Sequence, residues 1–161
     1  MNTDVHFSSS KDDWTTPAWL FDLLNERYHF TIDLFASKDN ALCKRYFTNC
    51  FNQGHLITDN DVGFGNPPYR RKKPTTWDFV TWAKNYKSVL ILPARTDTVV
   101  FHKYCMPDKC GWHLVKGRIK FGDTNSDKKN PAPFASIVTV FNGPTGVLET
   151  IDAGKKTWKA I

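Results

Sequence analysis

The chain predicts an α/β fold built on a mixed sheet, mostly parallel at first and antiparallel toward its C-terminus. Three observations predict it. Strand-like and helix-like segments alternate from residue 17 to residue 105, the pattern that feeds parallel strands through crossover helices. Residues 88–93 read Ser-Val-Leu-Ile-Leu-Pro, four consecutive aliphatics stopped by proline, as in a central strand covered on both faces. Beyond residue 105, two strand-like segments follow each other with only a polar stretch between them.

Taken in order, Thr16-Pro17 is a helix start, with Thr16 as N-cap and Pro17 at the first helical position. Leu20, Phe21, Leu23, Leu24 and Tyr28 then form a stripe at helical spacing. Residues 30–35 alternate as a strand that ends at Ala36-Ser37. Residues 40–46 read as helical, giving way to a short strand around Phe47, and residues 55–58 are a weak strand candidate. Residues 61–64 are a strand end. Residues 70–74 form a basic loop, after which Thr75-Thr76 cap a helix running through Trp77, Phe79, Val80 and Trp82 to Tyr86. A further helix is expected over 96–105. Strands are expected over 112–121 and 136–141, joined by a polar loop at 122–133, with a last short strand over 146–151. No internal repeat or low-complexity segment interrupts the chain.

The chemistry concentrates at Gly65-Asn66-Pro67-Pro68-Tyr69. Two prolines fix two φ angles and remove two N–H donors, which leaves a stiff loop with unpaired carbonyls. The Asn66 amide oxygen and the Pro67 carbonyl can then point the same way as two acceptors. Such a pair suits a substrate –NH2 group: it takes both N–H bonds and turns the nitrogen lone pair toward an electrophile. Tyr69 offers a flat face for a ring. Ligands of α/β sheets sit at the carboxyl ends of strands, and both Asp33 and Asn66 fall at such ends.

The bulk composition agrees with one globular unit. The 161 residues suit a single domain, and 40% apolar with 14% aromatic residues can fill a core. A formal charge of +6 favours polyanionic partners. No apolar run approaches the roughly 20 residues of a membrane span, and residues 1–13 lack a signal-peptide core, so a cytoplasmic protein is expected. Cys43, Cys50, Cys105 and Cys110 have no C-x-x-C spacing; with His55 and His102 nearby, ordinary buried thiols are expected rather than a metal site.

Five blocks now stand in order: residues 13–17 (Asp-Trp-Thr-Thr-Pro), 33–37 (Asp-Leu-Phe-Ala-Ser), 65–69, 92–98 (Leu-Pro-Ala-Arg-Thr-Asp-Thr) and 117–121 (Gly-Arg-Ile-Lys-Phe). Together they resemble the phage-type (Dam-like) DNA adenine-N6 methyltransferase family across nearly the whole chain. The resemblance implies a Rossmann-like S-adenosylmethionine-dependent methyltransferase fold acting on DNA, in the cytoplasm of a bacterial host cell if the origin is a phage. By the same resemblance Asn66, Pro67, Pro68 and Tyr69 are the catalytic tetrad. Trp14, Thr16 and Pro17 pack beside the cofactor, and Asp33, Phe35, Ala36 and Ser37 form its binding turn, together with Asn66. Most amino-methyltransferases place a Gly-rich turn where this chain has Phe35-Ala36-Ser37, and no acidic residue for the cofactor ribose is evident after Phe47.

Phosphate contacts are expected from Arg70, Arg71, Lys72 and Lys73, from Arg95, from Lys116, Arg118 and Lys120 on one face of a strand, and from Lys128 and Lys129. The sheet leaves no room for a separate target-recognition domain, so the loop at 122–133 is the expected reader of bases, irregular without DNA and ordered on binding. The target adenine must be flipped out of the duplex to reach the site. Two other functional classes fit the tetrad or the charge. One is an enzyme methylating cytosine N4 or a protein glutamine; the other is a non-catalytic nucleic-acid-binding module that kept the fold.

Overall fold

The computed structural model describes residues 14–123 and 126–159, with the backbone alone for residue 123 and residues 126–130. Its central strand is β5 (Ser88–Pro93), the apolar run, buried at all six positions. β5 pairs in parallel with β4 (Gly63–Gly65) and antiparallel with β9 (Ser136–Phe141). Beyond β4 lie β2 (Ile32–Asp33) and β3 (Arg45–Tyr46), parallel throughout. Beyond β9 lie β6 (Gly111–Lys116), β11 (Thr150–Asp152) and β12 (Thr157–Lys159), with β10 (Gly146–Val147) also against β6. The order β12-β11-β6-β9-β5-β4-β2-β3 is thus a parallel block followed by a mixed block entered through an antiparallel strand. The expected α/β class and the antiparallel later strands both hold.

The two-residue period of β5 sorts the core into two layers. Leu90 and Leu92 pack with Val80 and Ala83 of α3 (Thr76–Ala83) and Phe101 of α4 (Val99–Tyr104). Val89 and Ile91 pack on the other face with Leu20, Phe21 and Leu24 of α1 (Ala18–Tyr28). Helix α3 starts as its sequence predicts: the Thr75 hydroxyl accepts from the Asp78 N–H, and the Asp78 carboxylate accepts from the Thr75 N–H.

Several elements differ from expectation. Pro17, not Thr16, occupies the N-cap of α1, and Thr16 makes no cap; its hydroxyl is engaged elsewhere, as described below. Residues 40–44 form turns rather than a helix, and the helices expected over 96–105 and up to residue 86 are shorter at α4 and α3. Residues 55–58 are not a strand. Instead α2 (Cys50–Gln53) continues into a 3-10 turn at Gly54–Leu56, because the chain must cross over from β3 to reach β4 in parallel. The segment 146–151 splits into β10 and β11, and β12 was not foreseen.

The largest correction concerns residues 112–133. Gly117 takes φ +88, a left-handed conformation that stops β6. The chain then leaves the main sheet and forms a hairpin of β7 (Lys120–Asp123) and β8 (Ser126–Pro131). With β1 (Trp14–Thr15) it makes a separate three-stranded sheet in the order β1-β7-β8. Lys116, Arg118 and Lys120 therefore do not share a strand face. Within the region expected to be an irregular loop, the described residues of β7 and β8 pair as antiparallel strands.

Asp61 anchors the approach to β4. This buried carboxylate accepts from the Thr31 hydroxyl (2.8 Å), from Arg45 Nη1 (2.6 Å) and from the Thr58 N–H (2.9 Å) and hydroxyl (3.1 Å). Burial alone would raise its pKa, but these four donors outweigh it and hold the group at about 2. The loop before β4 is thereby pinned to the segment before β2 and to β3.

Candidate active site

Asp33 ends β2 and pairs in register with Phe64 of β4; Asn66 follows two residues after Phe64. Both side chains consequently meet at the carboxyl edge of adjacent parallel strands. One cleft there is lined by Trp14, Thr16, Asp33, Phe35, Asn66 and Pro68, together with Asn40 and Leu42. A wider hollow over Thr15, Thr16 and residues 39–42 continues it outward. Of the sequence-predicted cofactor residues, Pro17, Ala36 and Ser37 do not line the cleft. Pro17 accepts the first helical N–H bonds of α1, while the Ala36 N–H bonds to Phe47 O and the Ser37 N–H to Asn40 Oδ1.

The strand must deliver the tetrad without a side chain at residue 65. A Cβ on Gly65 would fall 2.5 Å from Leu90 Cδ2 and 2.7 Å from Phe35 Cε2, too close for either. The loop's exit is stapled by Thr76 at the start of α3. Its hydroxyl donates to Pro68 O (2.8 Å) and accepts from the Arg70 N–H (2.8 Å).

Asn66 is held by one end only. Its Nδ2 donates to Trp14 O at 2.8 Å and to Thr16 Oγ1 at 3.1 Å. A backbone carbonyl can only accept, so the nitrogen and not the oxygen must lie against Trp14. The other end, Asn66 Oδ1, is buried and has no hydrogen-bond partner among the described residues. A buried, unpaired amide oxygen is expensive by roughly 1–3 kcal/mol. Asn66 is one of the residues that line the cleft.

Tyr69 is fixed at its far end, where the hydroxyl donates to Ile91 O at 3.0 Å. Its ring packs edgewise with Phe134 (centroids 5.2 Å) and Phe121 (6.1 Å). Burial raises the phenol pKa, so it stays a neutral donor. Asp33 is also buried; its Oδ2 accepts from the Leu42 N–H (3.1 Å) and its Oδ1 from the Phe35 N–H (3.4 Å). Burial raises this carboxyl to about 6 despite those two bonds. It thus ends its strand as a buried carboxyl beside the cleft, tied to the backbone at Phe35 and Leu42.

The cations fall into three groups. Arg71, Lys72, Arg95, Arg118 and Lys120 are exposed and make no ion pair among the described residues. Arg70, Lys73 and Lys116 are engaged within the protein: Arg70 Nε donates to Pro74 O (2.7 Å), Lys73 pairs with Asp78 (2.8 Å) and Lys116 with Asp152 (3.4 Å). The Lys128 and Lys129 side chains lie outside the described residues, as do those of the other hairpin-tip residues. Cys50, Cys105 and Cys110 are buried free thiols and Cys43 is half-buried; burial pushes all four up to about 11 or 12.

Sequence reasoning missed Asn40, Leu42 and Phe64 in the cleft and Phe121 and Phe134 behind Tyr69. The two phenylalanines carry a faint signal as apolar residues bracketing a polar run. Leu42 carries none, since it is in place only through its N–H bond to Asp33.

Searches of curated proteins and of solved structures find no match. A family model does match, over residues 4–157, which spans both the cleft and the small sheet. With a tetrad that presents a free amide oxygen at a strand end, this chain belongs to the DNA N-6-adenine-methyltransferase (Dam) family.

Proposed function

We propose that Asn66 Oδ1 and the Pro67 carbonyl together receive the amino group of a flipped-out adenine. The family reaction is transfer of a methyl group from S-adenosylmethionine to adenine N6 in DNA. The observation that carries the proposal is the orphaned, buried Asn66 oxygen beside a cleft, with its amide nitrogen already spoken for. The adenine amino nitrogen is a poor nucleophile because its lone pair is delocalised into the ring. Two acceptors on its two N–H bonds favour a pyramidal nitrogen and aim its lone pair. The contribution is orientation and electrostatics, with no covalent intermediate.

The residues present fit the cofactor. Asp33 supplies a buried carboxylate, and Phe35 and Leu42 supply cleft walls. When bound, S-adenosylmethionine supplies an electrophilic methyl group. Asp33 would then accept hydrogen bonds from its polar groups, and Phe35 would give it an apolar wall. Tyr69, anchored through its hydroxyl, would offer its ring to the flipped base. The exposed Arg71, Lys72, Arg95, Arg118 and Lys120 would contact phosphates, so affinity is expected to fall steeply with salt. The hairpin of β7 and β8 would take part in site choice, and the protein would act in the cytoplasm.

Incubating the protein with mixed-sequence DNA and methyl-labelled S-adenosylmethionine, then digesting to nucleosides, tests this. Label is expected in N6-methyladenine. Label in N4-methylcytosine instead would overturn the assignment of the pocket to adenine.

A further inference from the structure

Asn66 can present its oxygen only if its amide does not rotate by half a turn. Nothing in the tetrad itself prevents that. The group that does comes from 52 residues earlier in the chain, the Trp14 carbonyl, which can only accept, and Thr16 Oγ1, 50 residues earlier, gives the same amide nitrogen a second acceptor. We propose that Thr16 and Trp14 are positioning residues, which fix the Asn66 amide with its oxygen toward the substrate amino group. This rests on the reading of Asn66 as the amino acceptor given above.

The support behind these two groups comes in part from the small sheet. Trp14 and Thr15 pair with Asp123 and Gly122 in the small sheet. The Trp14 indole packs edgewise with Phe121 (5.6 Å) and Phe134 (6.3 Å), the same two rings that back Tyr69. The carbonyl of a strand residue wedged in this way cannot turn aside. It offers Asn66 an acceptor and never a donor, so the amide nitrogen is the only end that can lie against it. Thr16 completes the fork. A helix N-cap is the ordinary use of a threonine before a proline, yet Pro17 takes that place and the Thr16 hydroxyl is released for Asn66. The role differs from a cofactor contact, and the two make opposite kinetic predictions.

Thr16→Val keeps the shape and removes the hydroxyl, whereas Thr16→Ser keeps the hydroxyl. With saturating substrates, Thr16→Val is expected to lower kcat about tenfold, the equivalent of one net hydrogen bond. KM for DNA and for S-adenosylmethionine should stay within about twofold, and Thr16→Ser should recover most of the rate. A raised KM or Kd for S-adenosylmethionine with unchanged kcat would make Thr16 a cofactor contact and overturn the proposal. A variant as fast as wild type would do the same. A measurement on the unaltered protein stands beside these: the Asn66 side-chain amide protons, followed by nitrogen-15 NMR, should exchange roughly tenfold more slowly than those of exposed asparagines. Fast exchange would contradict the fork whether or not the variants fold. Asn66→Ala separates the two readings. If it still turns over, the acceptor role fails; if it is inactive while Thr16→Val is unimpaired, only the positioning role fails.

Discussion

Asn66→Ala is expected to lower the rate of methyl transfer by roughly a thousandfold, with cofactor affinity within about twofold of wild type. The size follows from the kind of interaction removed: one preorganised group aimed at charge that develops in the transition state is worth 10²–10³ in rate. The preorganisation is visible in the resting protein. The amide nitrogen is bonded to Trp14 O and Thr16 Oγ1, and the oxygen is buried without a partner among the described residues. Truncation to alanine removes that unpaired oxygen but also takes the donor from the Trp14 carbonyl and the Thr16 hydroxyl, two effects of opposite sign, so melting should stay within a few degrees of wild type. Single-turnover kinetics with calorimetry for cofactor binding read both quantities. Weak cofactor binding with a normal transfer rate would mean that Asn66 belongs to the cofactor pocket instead.

Asp33→Asn is expected to pull stability and function in opposite directions. Burial raises the Asp33 carboxyl to about 6 in the folded protein. A group raised on folding contributes stability below its unfolded value, near 4, and loses it as pH rises through about 6. At neutral pH the fold therefore holds an ionised carboxylate at a cost on the order of 3 kcal/mol. The neutral amide escapes that cost while still accepting from the Leu42 N–H, now 3.1 Å from Oδ2. The variant should melt higher than wild type at pH 7–8 and lose most of that advantage near pH 4. Cofactor affinity should fall at least tenfold at pH 7, since the charge that faces a cationic ligand is gone. In the wild type that affinity should weaken as pH drops below about 6, and Asp33→Asn should show no such dependence. Thermal melts and calorimetry across pH 4–8 check both halves. A variant less stable at every pH and unchanged in affinity would reduce Asp33 to a turn residue.

The two predictions differ in how legible their residues were. The tetrad and the Ser88–Pro93 strand could be read directly, because two prolines and four aliphatics each leave few conformations open. Asp33 and Asn66 could be put at strand ends from the same pattern, and they do line one cleft. The fork on Asn66 could not be read, because it joins Trp14 and Thr16 to a residue some 50 positions away through a strand of only two residues. The hairpin was misread for a related reason. Its strands carry little apolar alternation, since they lie in a small three-stranded sheet outside the main one. Gly117 looked like a strand residue until its positive φ turned the chain away. Local composition speaks clearly where burial is two-sided and poorly where pairing alone makes the element.

The proposed mechanism turns on where the adenine amino group goes. A crystal structure of the protein with duplex DNA and a non-reactive cofactor analogue would show it. N6 of a flipped adenine is expected at about 2.7–3.2 Å from both Asn66 Oδ1 and the Pro67 carbonyl, with Asn66 Nδ2 still on Trp14 and Thr16. An amino group bound elsewhere, or an Asn66 amide turned to offer its nitrogen to the base, would contradict it.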